Sequence, residues 1–244
     1  MRLPRLRSVD KYKAPYPLNK FPQGFALTLG REVVYHLATR GCSRLEGPDW
    51  ECMFATIIGA KWKPSNIGLD DVALGNTTWG AKTVKNAHPS RAKTIRLISG
   101  RNAPVFSFGK AVPDDYDPVA TGRDVLAIWN ARVKQVRERF RNVRTVILIK
   151  SENLLELAVF EIETVEHDPS CFDWKRNVRN NLEGARKEDG EHVFTWQPHG
   201  SQFTIVERVP KNRLAIKLKA PPSLDKESVL DSIAFDESWV EVLE

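Results

Sequence analysis

Cysteines and long apolar runs are both scarce in this sequence. Three of its 244 residues are cysteine, and no two of them form a CxxC pair. Because disulfide frameworks and zinc sites need several cysteines at regular spacing, we expect neither, and we assign the chain to the reducing cytoplasm. No apolar run approaches the roughly 20 residues that a membrane-spanning helix needs. The basic residues 1–17 have no apolar segment behind them, so we expect no signal peptide and no membrane partner.

Motifs for nucleotide cofactors are absent as well. The sequence contains no GxxxxGK[ST] loop, which argues against an ATP-driven motor. It contains no GxGxxG motif opening a helix, which argues against a dinucleotide enzyme. We therefore expect no nucleotide cofactor, and the ordinary share of hydrophobic and charged residues indicates a globular protein.

The charge balance of the chain is basic. Lys and Arg number 37 against 31 Asp and Glu, which gives a net charge of +6. Such a balance favours a polyanionic partner. Residues 123–144 hold seven Lys or Arg and two acids. This stretch is either a nucleic-acid contact or an ordinary solvated helix face.

Apolar periodicity divides the chain into helices and strands. Amphipathic spacing predicts helices over about 26–40, 49–58 and 121–140, with Gly41 and Gly59 as the stops of the first two. Alternating or continuous apolar residues predict strands over 67–75, 78–85, 93–98, 145–149, 155–164, 192–197, 201–208 and 213–219. We expect irregular chain over 1–24, 63–66, 99–120 and 170–191.

This order of elements predicts the α/β (α+β) class. A helix, a hairpin, a third strand, a crossover helix and a buried fourth strand together make a sheet layered with helices. We expect a single domain over 1–244, with a core over 49–165 and a β-rich extension over 166–244.

An acid and a lysine lie on the two strands of the predicted hairpin. Asp71 is on the first strand and Lys82 is inside the second. Phosphodiester hydrolysis needs a carboxylate that holds a divalent cation, and it needs a group such as lysine that orients or deprotonates the attacking water. Carboxylate ligands favour Mg²⁺ over zinc. The alternative is a cross-strand ion pair on a surface hairpin, which contributes little.

The order of elements over 49–150, with Asp71 and Lys82 on the hairpin, resembles the PD-(D/E)XK nucleases, a family that includes most type II restriction endonucleases. The resemblance implies a restriction-endonuclease-like αβββαβ core with a mixed central sheet flanked by helices. It also implies an endodeoxyribonuclease that uses Mg²⁺ and cuts double-stranded DNA at a short specific sequence. Cutting both strands of a palindrome is simplest for a homodimer.

One position departs from the family motif, in which an acid precedes the lysine by two residues. In this sequence that residue is Gly80. The resemblance implies a replacement carboxylate from elsewhere, often from the helix before the hairpin. Glu51 is the first candidate to complete the catalytic site and to bind the metal with Asp71. Asp70 is the second candidate, and Glu161 and Glu163 come third.

Polar and basic residues outside the core are candidates for DNA binding. Three cations that follow the hairpin, Lys85, Arg96 and Arg101, are candidates for phosphate contacts. A predicted hairpin tip with Gln197, His199, Ser201 and Gln202 carries groups that can hydrogen-bond to base edges. Arg213 and Lys217 form the basic face of the last strand, where phosphate contacts would fix the register while the neighbouring hairpin tip reads bases. We therefore expect the core over 49–165 to hold the chemistry and the extension over 166–244 to recognise DNA. Each of these has an ordinary alternative, either a solvated charge or a plain β-turn.

Two other functions remain open at this level. A non-catalytic DNA-binding protein would use the same basic surface without cleavage. A DNA-repair or RNA-processing nuclease on the same core would be directed by a nick, an end or a mismatch instead of a short sequence.

Overall fold

The computed structural model describes residues 13–40, 42–65 and 67–243. Its helices are Phe25–Arg40 (α1), Gly47–Ile58 (α2), Pro104–Phe108 (α3), Pro118–Arg137 (α4) and Lys226–Ser232 (α5). Its strands are Lys61–Trp62 (β1), Val72–Leu74 (β2), Thr77–Lys85 (β3), Thr94–Arg101 (β4), Asn142–Lys150 (β5), Glu156–Glu163 (β6), Phe172–Arg176 (β7), Leu182–Arg186 (β8), His192–Gln197 (β9), Gln202–Arg208 (β10) and Leu214–Lys217 (β11). None of the helices in these ranges combines the length and apolar character needed to cross a membrane.

The strands form two sheets. The first sheet has the order β1-β2-β3-β5-β6-β11, and its β3–β5 pair is parallel while its other pairs are antiparallel. The second sheet has the order β4-β10-β9-β8-β7 and is antiparallel throughout. The predicted mixed α/β class with a mixed central sheet is confirmed.

The third strand of the central sheet is not the predicted one. We expected the segment 93–98 to fill this place, but it forms β4 and pairs with β10 in the second sheet. Instead, the short strand β1 adds to the hairpin β2–β3 on its outer side. The chain then passes through β4, α3 and the crossover helix α4 before β5 pairs in parallel with β3.

Aromatic side chains fill the spaces on both faces of the first sheet. On one face, α1 and α2 bury Trp50, Phe54 and Trp79 completely. On the other face, α4 and the second sheet bury Phe194 and Phe203. Each such side chain contributes roughly 1.5–3 kcal/mol on burial, so these two cores fix how the helices and the second sheet lie on the central sheet.

Helix α2 positions one side of the candidate site. Its apolar residues Trp50, Met53 and Phe54 form the predicted stripe and are buried. The backbone N–H of Glu46 donates to the Asp49 carboxylate at 2.9 Å, which caps the first turn. Gly59 ends the helix with a positive φ of 65°, a conformation that suits glycine. The prediction for this helix is confirmed, and its first turn begins two residues earlier.

Three predicted segments differ from the structure. The strand over 67–75 shrinks to β2, because residues 67–71 turn instead of extending. The irregular segment over 99–120 contains α3 and the start of α4. The segment over 170–191 contains β7 and β8, whose inward side chains are few while the others face solvent. Gly41, Asn66 and residues 1–12 of the predicted arm lie outside the described residues.

Each of the two sheets contains strands from both halves of the chain. The strand β4 belongs to the predicted core, yet it lies in the second sheet. The strand β11 belongs to the predicted extension, yet it pairs with β6 at the edge of the first sheet. The predicted boundary between residues 165 and 166 therefore does not separate the two sheets.

Candidate active site

The segment before β2 buries an aspartate against the neighbouring strand. Asp71 is only 3% exposed. Its Oδ1 accepts a hydrogen bond from the backbone N–H of Ser65 at 3.4 Å, and its Oδ2 accepts one from the N–H of Ala81 at 3.3 Å. Both bonds are long, so the carboxylate is weakly satisfied for a buried charge.

Gly80 has no room for a side chain. A Cβ placed on it would lie 2.9 Å from the Gly68 carbonyl oxygen and 3.1 Å from Leu69 Cα. Both atoms belong to the backbone of the turn that leads to Asp71, so the contact cannot be relieved by a rotamer change. The position that holds an acid in the PD-(D/E)XK motif is closed to an acid in this protein.

Lys82 projects from β3 on the same side as this turn. Its Nζ would be 3.6 Å from a Cβ on Gly68, so the ammonium lies next to the backbone of the turn. Among the described residues, no carboxylate oxygen lies within 4.0 Å of this Nζ, and no hydrogen bond to it is formed. Lys82 is half-buried, and within the described part of the chain it is not paired with an acid.

Glu51 approaches the site from α2. It follows the buried Trp50 on the helix, is half-buried, and its Oε2 accepts a hydrogen bond from Trp62 Nε1 at 3.1 Å. This contact connects α2 to Trp62 of β1, and Trp62 pairs with Val72, the residue after Asp71. The glutamate acts electrostatically on both Asp71 and Lys82.

The charges of this cluster shift one another. Burial raises the pKa of Asp71, Glu51 raises it further, and Lys82 lowers it. Burial lowers the pKa of Lys82; Asp71 and Glu51 raise it, and Arg132 lowers it. Asp71, Glu51 and Lys82, the three predicted catalytic residues, therefore lie close enough for their charges to act on one another.

Arg132 on α4 is a member of the site that the sequence analysis did not single out. Its Nη1 donates to the Ser99 carbonyl at 2.6 Å and to Asn102 Oδ1 at 3.2 Å, and its Nη2 donates to the Ile67 carbonyl. Burial lowers the pKa of its guanidinium, whereas Asp71 raises it. A signal was present, because Arg132 falls three residues after the buried Trp129, on the inward stripe of the helix.

The other three candidate acids, Asp70, Glu161 and Glu163, have different surroundings. Asp70 is buried and forms an ion pair with Arg139 at 2.7 Å, although its Oδ1 has no partner among the described residues. Glu161 is fully buried on the opposite face of the sheet, where it accepts hydrogen bonds from Tyr16, Trp79 and Arg144. Glu163 is exposed at the end of β6, where it lines the same small cavity as Lys82. Glu161 is therefore a structural residue, and Asp70 already has a cation as its partner.

The donor set of the site fits a hard cation that keeps much of its water. In the part of the chain that the structure describes, no three His, Cys, Asp or Glu side chains are grouped closely enough to share a metal ion. Mg²⁺ is commonly bound by one or two carboxylates and several waters. Asp71, with its weakly satisfied oxygens, and Glu51, whose charge acts on Asp71, are the two carboxylates that would hold such a cation.

A small internal cavity lies behind Lys82, between the two sheets. Its volume is about 30 Å³, and Lys82, Thr145, His167 and Glu207 are among its lining residues. Such a volume accommodates an ordered water. Burial raises the pKa of Glu207 to about 7 and lowers the pKa of His167 to about 4. Both residues are therefore held towards their neutral forms.

The basic stretch over 123–144 is largely used inside the protein. Arg137 donates to the Thr164 carbonyl at 2.8 Å, and Arg139 pairs with Asp70. Arg144 is buried against Glu161 at 3.1 Å. These residues, with Arg132, join elements to one another, so the stretch does not form one solvated basic face.

Several predicted DNA-binding cations have internal partners or lie apart from the rest. Lys85 is exposed at the end of β3 and pairs with Glu152 at 2.8 Å. Arg213 donates to the carbonyls of Ser90 and Pro210, so it holds the chain that enters β11. Lys217 is exposed, but it lies on β11 in the first sheet. We expected Arg213 and Lys217 to share a surface with the polar hairpin, which belongs to the other sheet.

The polar hairpin itself is confirmed as β9–β10. Gln197 and Gln202 pair across its end, and Gln202 also pairs with Arg101 on β4. His199 is exposed in the turn, and Ser201 has a φ of 53°. Arg96, Gln197 and Gln202 line one groove on the outer face of the second sheet. The structure thus brings part of the predicted DNA-binding set together.

Compared with known proteins, the chain matches no family model, no curated protein and no solved structure.

Proposed function

We propose that this protein is a Mg²⁺-dependent endonuclease that hydrolyses DNA phosphodiester bonds, with Asp71, Glu51 and Lys82 as its catalytic residues. One observation carries the proposal. Two acids from different elements and a half-buried lysine influence one another electrostatically, yet the lysine has no acid oxygen within 4.0 Å among the described residues. An ordinary ion pair would have closed that distance, whereas a site for a cation and a phosphate keeps it open.

The roles of the side chains follow from their charge and position. Bound Mg²⁺ would neutralise phosphate charge and lower the pKa of water. Asp71 and Glu51 would hold the cation, since both are acids and Asp71 is weakly satisfied. Lys82 would orient or deprotonate the attacking water, and its lowered pKa favours the neutral amine that a base needs. In its charged form it would stabilise the growing charge on the phosphate.

The order of elements supports the finer fold assignment. The helix α2 precedes the three antiparallel strands β1, β2 and β3, and the crossover helix α4 leads to β5, which is parallel to β3. This order agrees with an αβββαβ nuclease core, in which Asp71 precedes β2 and Lys82 lies on β3. We infer such a core, with Gly80 in place of the usual acid.

We infer that the substrate is duplex DNA and that cleavage occurs at a short sequence, as in a type II restriction enzyme. The hairpin β9–β10 and the groove beside it lie outside the proposed catalytic site, so chemistry and sequence reading use different elements. Phosphate contacts position a protein on DNA, and base contacts specify the sequence.

Plasmid and phage DNA, incubated with the purified protein with and without Mg²⁺, test the proposal. We expect discrete bands that need the metal. Lys82→Ala should slow cleavage by at least about 100-fold without loss of folding or DNA affinity, because its role lies in the transition state. Lys93→Ala, an exposed lysine before β4, is the matched control and should cut at the parental rate.

The outcomes separate the competing functions. Binding without Mg²⁺-dependent cleavage would support a non-catalytic DNA-binding protein and overturn the proposal. Cleavage only at nicks, ends or mismatches would support a repair nuclease. A Lys82→Ala variant as active as the parent would show that the site lies elsewhere.

A second experiment concerns the metal ligands. Glu51→Gln should lower activity by orders of magnitude, with partial rescue by higher Mg²⁺ or by Mn²⁺, because one charge that holds the cation is lost. The control Glu188→Gln changes an exposed glutamate and should leave the metal dependence unchanged. An unchanged metal dependence in Glu51→Gln would indicate that Asp70 or Glu163, and not Glu51, is the second metal ligand.

A further inference from the structure

The outer face of the second sheet forms an open groove of about 620 Å³. We call it the outer groove; its lining residues are Arg96, Ile98, Asn177, Val178, Arg179, Asn181, Glu183, His192, Thr195, Gln197, Gln202 and Thr204. The turn between β7 and β8, residues 177–181, lies beside the hairpin end because Leu182 pairs with Trp196 next to Gln197. The groove therefore extends well beyond the predicted hairpin tip.

Several polar side chains in this groove have no partner within the described chain. The side chains of Arg179, Asn181, Gln197 and Gln202 form no hydrogen bond or ion pair there. Three amides and one guanidinium are thus free to bind a ligand. Their position around a single concavity favours one ligand with several hydrogen-bonding groups.

Other polar residues of the groove form its frame. Arg96 donates to Thr195 Oγ1 at 2.9 Å. Asn177 accepts from the backbone N–H groups of Arg179 and Asn181, which shapes the turn. The free side chains therefore extend from ordered strands and from a turn with its own internal hydrogen bonds.

The charge of the groove disfavours a cationic ligand. Its one acidic lining residue, Glu183, accepts a hydrogen bond from Asn177 Nδ2 at 2.8 Å and lies 3.8 Å from Lys175 Nζ. The guanidinium groups of Arg96 and Arg179 are the remaining formal charges. An anionic ligand rich in donors and acceptors is the best match.

We propose that the outer groove binds duplex DNA and hydrogen-bonds to the edges of its bases. The β7–β8 turn and the hairpin β9–β10 both contribute to this contact. DNA as the ligand rests on the proposed function. Arg can pair with guanine and Asn or Gln with adenine, each through two hydrogen bonds. Val178 is fully exposed beside these groups and is suited to contact a thymine methyl group.

Selection from a randomised DNA duplex library in EDTA tests this proposal without cleavage. We expect the parent protein to enrich a motif. Asn181→Ala, Arg179→Ala and Gln202→Ala should each lower the preference at one or two base positions by roughly 5- to 150-fold. Gln135→Ala and Arg91→Ala, which alter exposed side chains outside the groove, are the matched controls and should enrich the parental motif.

The result separates this proposal from the nuclease proposal. The groove assignment is overturned if all the groove variants enrich the parental motif. It is also overturned if the substitutions weaken binding to duplex RNA and leave binding to duplex DNA unchanged. If the parent enriches a motif that the variants lose but never cuts DNA with Mg²⁺, the groove assignment stands and the nuclease proposal falls. Melting curves for each variant check that the fold is intact.

Discussion

Gly80 shows how a single residue shapes the candidate site. The turn over 67–69 passes so close to Gly80 that a Cβ would contact backbone atoms of Gly68 and Leu69 at 2.9–3.1 Å. That same turn brings Asp71 against the N–H of Ala81. The close approach that buries Asp71 is thus what removes the space for an acid at residue 80.

Restoring the acid of the nuclease motif should therefore harm the protein. We expect Gly80→Asp to displace the turn and lower the free energy of unfolding by about 1–3 kcal/mol, as overpacking does. It should also lower cleavage instead of raising it. Urea unfolding measures the loss, and Ala87→Asp, at an exposed position after β3, is the control. An equally stable and more active Gly80→Asp variant would show that the turn moves aside easily.

Glu207 makes stability depend on pH in an unusual direction for an acid. Its pKa of about 7 is above the ordinary value of 4.5, so the folded protein binds its proton more tightly than the unfolded chain does. Its contribution to stability is complete below about pH 4.5 and is lost as the pH rises through 7. His167 acts in the opposite sense, since its lowered pKa of about 4 costs stability as the pH falls from 6.5.

The variant Glu207→Gln isolates the acid. We expect it to remove the part of the stability loss that occurs between pH 4.5 and 7, because glutamine does not titrate. Urea unfolding at pH 5 and pH 8 measures the difference, with the exposed Glu188→Gln as control. If the parent and Glu207→Gln lose the same stability between these pH values, Glu207 is not held in its neutral form.

At the scale of elements, Arg132 joins helix α4 to two other parts of the site. It bonds to the carbonyls of Ser99 on β4 and Ile67 in the turn before Asp71. Its charge also lowers the pKa of Lys82. The helix therefore fixes the turn and tunes the lysine through one side chain.

Replacing this arginine should have two measurable effects. Arg132→Met should lower the free energy of unfolding by at least about 2 kcal/mol, because hydrogen bonds of a charged donor to buried carbonyls are lost. It should also raise the pKa of Lys82, which an NMR titration of the lysine side chains measures. Lys134→Met, an exposed neighbour on α4, is the control. An unchanged Lys82 pKa would show that the two cations do not interact.

The elements that could be predicted are those with a strong apolar pattern. Helices α2 and α4 and strand β5 have such patterns and were located to within a few residues. The strands β7 and β8 were missed, because one face of each is solvated and few of their side chains point inward. The extent of β2 was overestimated, because Gly68, with a φ of 66°, turns the chain before it.

The candidate site was predictable in part for a similar reason. Asp71 and Lys82 are close in sequence, so a hairpin sufficed to bring them together. Glu51 was reached through the resemblance to a nuclease family. The sequence does not distinguish Arg132 from the other cations of its basic stretch, because its three acceptors, on Ile67, Ser99 and Asn102, are 30 or more residues away in the chain.

At the scale of the whole molecule, a homodimer stays a prediction. Two identical sites related by a twofold axis can cut both strands of a palindrome. For the parental protein bound to its own cleavage site, sedimentation or light scattering should give the mass of the duplex plus twice the chain mass of 27.7 kDa. The mass of the duplex plus one chain under those conditions would require each subunit to cut twice.

The exchange of β4 and β11 between the sheets has a consequence for how the protein unfolds. Neither half of the chain, 1–165 or 166–244, contains all the strands of either sheet. Losing one half would leave unpaired strand edges and apolar surface in the other, so the free energies of the two sheets are coupled. We expect a single cooperative transition in calorimetry, and no folding of either fragment alone. Two separate transitions would mean that the two sheets unfold independently. Equal protection from hydrogen exchange in β4, β10, β6 and β11 would show that strands from both halves of the chain belong to one cooperative folding unit.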